Sequence, residues 1–265
     1  MSLCTKRINR DILLCKKTYA EEFEKMKVYI HFDEDNIKYC YLMIYGPEQK
    51  YDCFAEKEMP TPYFGGYYLF KIKFSDNYPI DPPKIGFKSS FDTWRCHPNF
   101  YHKPIGDDDE NLGAKVCLSL INTFGGDDWT PSRRLSEIII LLQERLGTTP
   151  IRFEPCYENV KNDDKRNTDF NTLIEYGNYN HAMLSLLQNP GEEFLPLLPI
   201  MKKLYIENFP KILDKMNMFK NKFEDKSISF SGVGAVPLMN YKVNMTSIIQ
   251  RATELYEKIK IEDVY

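Results

Sequence analysis

His97-Pro98-Asn99, then Lys115-Val116-Cys117-Leu118-Ser119-Leu120, then Trp129-Thr130-Pro131: from these three pieces, in this order, the rest of the chain can be interpreted. A single cysteine ordinarily behaves as a small hydrophobe that fills core space. Cys117 stands instead between two proline turns. The stretch around it, residues 91–131, also carries the acidic run Asp107-Asp108-Asp109-Glu110 and a Gly125-Gly126 pair. A stretch of that length without regular pattern is unusual as a plain connector and is a common place for function. Cys117 is therefore the candidate nucleophile.

Upstream of this region, Ile8, Ile12, Cys15, Tyr19, Phe23 and Met26 recur at helical spacing, with Lys6, Arg7, Arg10, Lys16 and Lys17 on other faces, so the chain is expected to open with an amphipathic helix. Strand-like runs follow at residues 28–32, 38–45, 67–74 and 84–87, separated by Gly, Pro, Asn and Asp, and predict a four-stranded meander. Residues 49–60 are polar with no clear period, and the expectation there is an extended loop. Downstream, Leu135, Ile138, Ile139, Leu142 and Leu146 form one helical stripe, with Ile140 and Leu141 beside it, which predicts a central buried helix. Beyond Tyr157 the composition changes to helical patterns near residues 169–187, 194–219 and 245–259, punctuated by Pro196, Pro199 and Pro210. The last of these is apolar on one face only and is expected to dock.

The 265 residues are enough to bury a core without staples. Seven cysteines, odd in number and with no CxxC pair, suggest neither a disulfide framework nor a zinc cluster, and fit a reducing compartment. No apolar run reaches membrane-spanning length, and the expectation is a soluble, unexported protein of the cytoplasm, with the nucleus as a further compartment. A net charge of -3 gives no overall attraction for nucleic acid, so protein partners are expected, and neither nucleic acid nor membrane.

The opening Lys6-Arg7-Ile8-Asn9-Arg10-Asp11-Ile12, the split Gly46-Pro47 and Thr61-Pro62-Tyr63-Phe64-Gly65-Gly66, the turn Asn77-Tyr78-Pro79-Ile80-Asp81-Pro82-Pro83-Lys84, and then His97-Pro98-Asn99, Cys117 and Trp129-Thr130-Pro131 fall in an order that is together specific. Over residues 5–158 the chain resembles the ubiquitin-conjugating enzymes. Asn99-Phe100-Tyr101, the run from Cys117 to Gly126, and Glu154-Pro155-Cys156-Tyr157-Glu158 are most similar to the larger members that carry a helical C-terminal extension. The resemblance implies an α+β fold: an N-terminal helix, a four-stranded antiparallel sheet and a central helix. It also implies a division into a catalytic core at residues 1–160 and an α-helical extension at 161–265 packed on it.

What the resemblance implies chemically is acyl transfer. A thiol is nucleophilic even when only slightly ionised, and its thioester keeps the energy needed for aminolysis. Cys117 would accept ubiquitin or a ubiquitin-like modifier from an activating enzyme and pass it to a substrate lysine or a ligase. No cofactor is implied for this chain, because ATP is consumed by the activating enzyme. Asn99 is the candidate for steadying the oxyanion, with a loop-holding role as its alternative. His97 and Pro98 are expected to support the turn, not to act as a base. Glu154 matches an acidic gate position beside the incoming lysine, or else is a solvated loop residue; Ser119 stands where some relatives have a second acid. Arg7, Arg10, Ile80, Pro131 and Ser132 map to the surface facing ligase and activating enzyme, with Ile80 replacing an aromatic common among partners of ring-type ligases.

Two departures from the family pattern are insertions at residues 102–113 and 49–60. Cys96, His97, His102 and Cys117 have no zinc-like spacing, so no metal is expected. The competing readings are a silent module of the same fold that binds modifier or ligase without transfer, and a papain-like hydrolase. The latter would need a base histidine, for which His31 and His181 lack suitable surroundings.

Overall fold

The computed structural model describes residues 2–91, 94–103, 111–125 and 128–262. The acidic run 107–110 and most of the 102–113 insertion lie outside the described residues. The chain forms two compact units, one holding residues through Tyr45 together with Tyr68–Leu146, the other Gly46–Tyr67 and the residues from Gly147 onward. Residues 46–67 and 147–160 group with the C-terminal residues in the second unit.

In the first unit the opening helix is interrupted. Helix α1 (Leu3–Leu13) passes through a π-helical segment (Leu14–Thr18) into α2 (Ala20–Lys25). Ile8, Cys15 and Phe23 are buried as the spacing requires. Asp11 is buried too, which no apolar stripe foretells. Its carboxylate accepts from the Tyr78 hydroxyl at 2.5 Å and from Arg7 Nε at 2.9 Å, and a buried carboxylate is stable only with such partners.

The sheet runs β1 (Val28–Phe32), β2 (Tyr39–Tyr45), then β5 (Tyr67–Lys73), β6 (Lys84–Phe87) and a two-residue β7 (Ala114–Lys115). The meander is as expected, with β7 added at its edge. Antiparallel pairing sets Val28 opposite Ile44, Phe70 opposite Phe87, and Gly86 opposite Lys115. Gly86 makes β7 possible, since a Cβ there would stand 2.1 Å from the Leu112 carbonyl oxygen. Helix α3 (Leu135–Arg145) carries the predicted stripe: Leu135, Ile138, Ile139, Leu142 and, just past its end, Leu146 are fully buried. Those five side chains are worth on the order of 10 kcal/mol as an upper bound on area removed from water. Glu137 closes the first turn by accepting from the Arg134 amide at 3.1 Å.

In the second unit, residues 49–60 are a hairpin, β3 (Gln49–Asp52) and β4 (Lys57–Pro60), and not the expected loop. Its anchor is a charge, not an apolar face. The Asp52 carboxylate accepts from the Thr148 hydroxyl at 2.5 Å, Arg152 Nη1 at 3.1 Å, and the Phe54 and Ala55 amides, both at 2.9 Å. Helix α4 (Lys165–Gly177) continues as a π segment (Asn178–Ser185) and a short α5 (Leu186–Gln188). Asn178, fully buried, donates to the Phe64 carbonyl at 2.8 Å, and a Cβ on Gly66 would lie 1.9 Å from its Oδ1, so the second glycine of the Gly65-Gly66 motif is required by this close approach.

Helix α6 (Leu198–Phe223) runs through Pro210, one of the prolines that punctuate its pattern in the sequence. It packs on α7 (Met245–Glu262) through a Phe209–Tyr256 stack at 4.2 Å and a Tyr205 hydroxyl to the Ala252 carbonyl at 2.8 Å. Between α6 and α7 lies an unpredicted hairpin, β8 (Ser227–Phe230) and β9 (Met239–Lys242).

Burial alone would raise the Asp52 carboxyl, but the Thr148 hydroxyl, the Ala55 amide, Arg152 and the Phe54 amide outweigh it and hold it at about 2. A lowered folded-state value contributes stability that is fully present above the ordinary 3.8 and is lost as pH falls through about 2. Asp52→Ala is expected to cost about 3 kcal/mol at neutral pH, because it leaves Arg152 without its carboxylate. Urea melts at pH 7 and in the acid limb check this: the variant's deficit should shrink below pH 3.8.

Candidate active site

Residues 97–101 double back so that the His97 carbonyl accepts from the Phe100 amide at 3.1 Å. The following residues then lie antiparallel to 115–117. Phe100 and Val116 form the bridge, the Cys117 amide donates to the Asn99 carbonyl at 2.8 Å, and the Tyr101 amide donates to the Lys115 carbonyl at 2.9 Å. Side chains alternate across such a pair. Phe100 and Val116 therefore point together into the core, while Asn99, Cys117, Tyr101 and Lys115 share the opposite face.

His97 is fully buried, its Nδ1 accepting from the Asn99 amide at 3.0 Å and its ring 4.8 Å from that of Phe100. An Nδ1 that accepts leaves the ring proton on Nε2. Burial, with Arg145 and Arg95 nearby, holds the imidazole well below its ordinary 6.5. His97 is thus held neutral and braces the turn through its bond to the Asn99 amide. Arg95 strengthens the brace by donating to the His97 carbonyl at 2.9 Å and the Pro98 carbonyl at 2.6 Å.

Cys117 is 4 % exposed. The loop beyond it is clamped by the Thr123 hydroxyl, which donates to the Val116 carbonyl at 2.8 Å and accepts from the Leu118 amide at 2.9 Å. Asn122, in the left-handed region at φ 57°, accepts from the Trp129 amide at 3.2 Å and ties the cysteine loop to the second proline turn. Ser119 opens a short 3-10 turn (Ser119–Ile121). The Asn99 side-chain amide forms no hydrogen bond with any described residue, and its Oδ1 is buried. Of the two readings of Asn99, the loop-holding one thus finds no side-chain bond to support it.

Tyr101 was missed by the sequence reasoning. Burial first, then the charge of Cys117, pushes its phenol above its ordinary range. The Arg95 guanidinium lies 3.7 Å from its ring centroid. The signal that could have found it is alternation: a tyrosine two residues after Asn99 returns to the same face.

Glu154 belongs to the second unit. It is 5 % exposed, so it is no solvated loop residue, and its Oε1 accepts from the Ala235 amide at 2.6 Å against Gly234 in the turn between β8 and β9.

The surface residues are brought together in part. Arg7 Nη1 donates to the Pro131 carbonyl at 2.7 Å and Nη2 to the Arg133 carbonyl, so this guanidinium bolts α1 to the second proline turn. The first proline turn joins the same cluster, because Trp129 Nε1 donates to the Pro79 carbonyl at 2.9 Å. Ile80 is 65 % exposed at its tip, and Arg10, Pro131 and Ser132 are also exposed. Among the described residues no group of His, Cys, Asp or Glu could hold a metal ion, and no helix is long and apolar enough to cross a membrane.

This arrangement coincides with a family match: the model for "Ubiquitin-conjugating enzyme" fits residues 7–176. The chain belongs to the ubiquitin-conjugating enzyme family. It is 28 % identical over 208 residues to ubiquitin-conjugating enzyme E2 Z of Xenopus tropicalis, covering 78 % of this chain and 58 % of that one. Against E2 Z of Homo sapiens it is 27 % identical, covering 78 % of this chain and 51 % of that one. The chain thus spans little more than half the length of these relatives. A solved E2 domain of a Toxoplasma gondii ubiquitin conjugating enzyme is similar with a TM-score of 0.43 at 18 % identity, covering 67 % of this chain and 98 % of that one.

A histidine whose folded-state value lies below 6.5 contributes stability present above that pH and progressively lost beneath it. Below 6.5 each pH unit is expected to remove roughly 1.4 kcal/mol through His97. His97→Gln, which can still accept from the Asn99 amide, should be less stable at high pH but fall less steeply on acidification. Chemical denaturation at several pH values checks the slope.

Proposed function

We propose that the protein is a working ubiquitin-conjugating enzyme that carries ubiquitin or a ubiquitin-like modifier as a thioester on Cys117. The observation that supports this is the register of residues 99–101 against 115–117, which sets the uncommitted Asn99 amide on the same face as the Cys117 sulfur. The sulfur attacks the carbonyl of the activating enzyme's thioester, and that enzyme's thiolate leaves. In the second transfer an amine attacks the Cys117 thioester, and the Asn99 amide donates to the oxyanion of the tetrahedral intermediate. His97, Pro98 and Arg95 hold the turn against movement as charge develops.

The partners in this reading are the modifier, a ubiquitin-activating enzyme, a ubiquitin ligase and substrate proteins, met in the cytoplasm and nucleus. Ile80, Arg10, Pro131 and Ser132 offer the contact surface, with Arg7 shaping it from beneath. ATP is spent by the activating enzyme, and this chain itself uses no cofactor.

The test is charging with ATP, an activating enzyme and ubiquitin, followed without reductant, beside a panel of alternative modifiers. A product that reductant removes and Cys117→Ala abolishes is expected. Asn99→Ala should still charge, but discharge to free lysine about a hundredfold more slowly. Absence of charging with every modifier and activating enzyme would return the chain to the silent-module reading.

A further inference from the structure

Strand β8 stands at the edge of a two-stranded sheet, and no described strand pairs with its outer side. The Val243 amide donates to the Lys226 carbonyl at 2.9 Å, and the register continues with Ile228 opposite Tyr241 and Phe230 opposite Met239. In an antiparallel pair, backbone groups face the partner at every second residue. Ile228 and Phe230 therefore direct theirs at β9, and the amides and carbonyls of Ser227 and Ser229 point outward, bonded to no described residue. Ser227 and Ser229 are exposed, while Phe230 is buried with its ring 4.9 Å from that of Phe170 on α4. Along this edge runs a groove of about 380 Å³. Its other wall is one face of α4, with Lys165, Thr168, Asp169 and Thr172 at the spacing that brings helical side chains together. Lys222, in the last turn of α6, and Lys226, just before β8, also line it.

The charge left over in the groove has one sign. Asp169, the one acid that lines it, is paired with Lys165. Lys222 and Lys226 form no ion pair with a described residue, and Lys226 Nζ donates to the Lys222 carbonyl at 2.6 Å, which ties it to the end of α6. Glu224 does not offset them, because its carboxylate accepts from the Met245 and Thr246 amides at 2.7 and 3.1 Å. A bare strand edge is completed by another peptide backbone, and unpaired ammonium groups beside it select carboxylates. We propose that this groove is a docking site for an extended acidic segment of a partner protein, which adds as a third strand along β8 and sets its carboxylates against Lys222 and Lys226. A nucleic acid would satisfy the lysines but has no row of N–H and C=O groups for Ser227 and Ser229. With only two residues of free edge, the contact is weak by itself and depends on charge for its selectivity. The groove lies wholly within the second unit, and its role stands independently of the thioester reading.

The test uses the full chain and, as probe, a fluorescently labelled peptide of alternating valine and glutamate, with binding followed by anisotropy. Lys222→Ser and Lys226→Ser are each expected to weaken binding about two- to fivefold, and added salt should shrink the difference from the unaltered chain. Ser229→Pro removes an amide that faces away from β9, a position where an edge strand tolerates proline, and should weaken binding about tenfold. The fully N-methylated peptide examines the same pairing without altering the protein: it keeps the charge, loses every N–H, and should not bind. Amide hydrogen exchange at Ser227 and Ser229 should slow when the unmodified peptide is added. Absence of binding, equal binding of the N-methylated peptide, no loss in either lysine variant, or an equal affinity for an oligothymidylate of similar charge would overturn the proposal.

Discussion

The backbone pairing of residues 99–101 with 115–117 is the constraint from which the rest of the site follows. It fixes which side chains face the sulfur before any of them has chosen a rotamer. Much of the surrounding structure maintains it. His97 accepts from the Asn99 amide, Arg95 ties down two carbonyls of the turn, and Gly86 lets β7 come close to β6. The cysteine loop is then closed from the other side by Thr123 and Asn122. Such buried polar networks are costly when partly satisfied and rigid when complete, which suits a loop that must present a nucleophile without collapsing on it.

The second unit uses buried polar anchors for a different end. Asp52, Glu154 and Asn178 each take up backbone or hydroxyl partners far along the chain: Asp52 holds Thr148 and Arg152, Glu154 holds Ala235, and Asn178 holds Phe64. Apolar packing sets how strongly these segments associate, but it is non-directional. A carboxylate with directed donors specifies one register of a hairpin or one turn conformation. Gly66 and Gly234 sit against two of these anchors, where any side chain would collide.

Where the sequence was legible, the signal was an apolar period that burial obeys. Leu135, Ile138, Ile139, Leu142 and Leu146 are all fully buried, and Ile8, Cys15 and Phe23 likewise face the core. The motifs that carry the family resemblance occupy the turns at Pro79, His97 and Trp129, and Arg7, Trp129 and Arg95 hold those turns with hydrogen bonds to backbone carbonyls. What was not legible depends on polar contacts between distant residues. The β3–β4 hairpin has no apolar stripe, because its buried position is Asp52. The β8–β9 hairpin has the right alternation, with Ile228 and Phe230 buried and Ser227 and Ser229 exposed, but it is only four residues long between two helices. Tyr101 has no ionic or nucleophilic signature of its own and gains its place only through the register. Glu154 was legible as a distinctive acid but not as the partner of a turn 81 residues away.

The two π-helical segments, Leu14–Thr18 and Asn178–Ser185, have a meaning beyond local geometry. A π turn holds more residues than an α turn, so it is the form in which a helix can absorb an extra residue while the flanking turns keep their faces. At Asn178 the widened turn brings a buried amide onto the backbone at Phe64. Removing one codon there would restore an ordinary helix and turn either Asn178 or the stripe beyond it away from its partner. The length of this helix thus carries structural information of its own, because the register of Asn178 depends on it as much as on the residue itself.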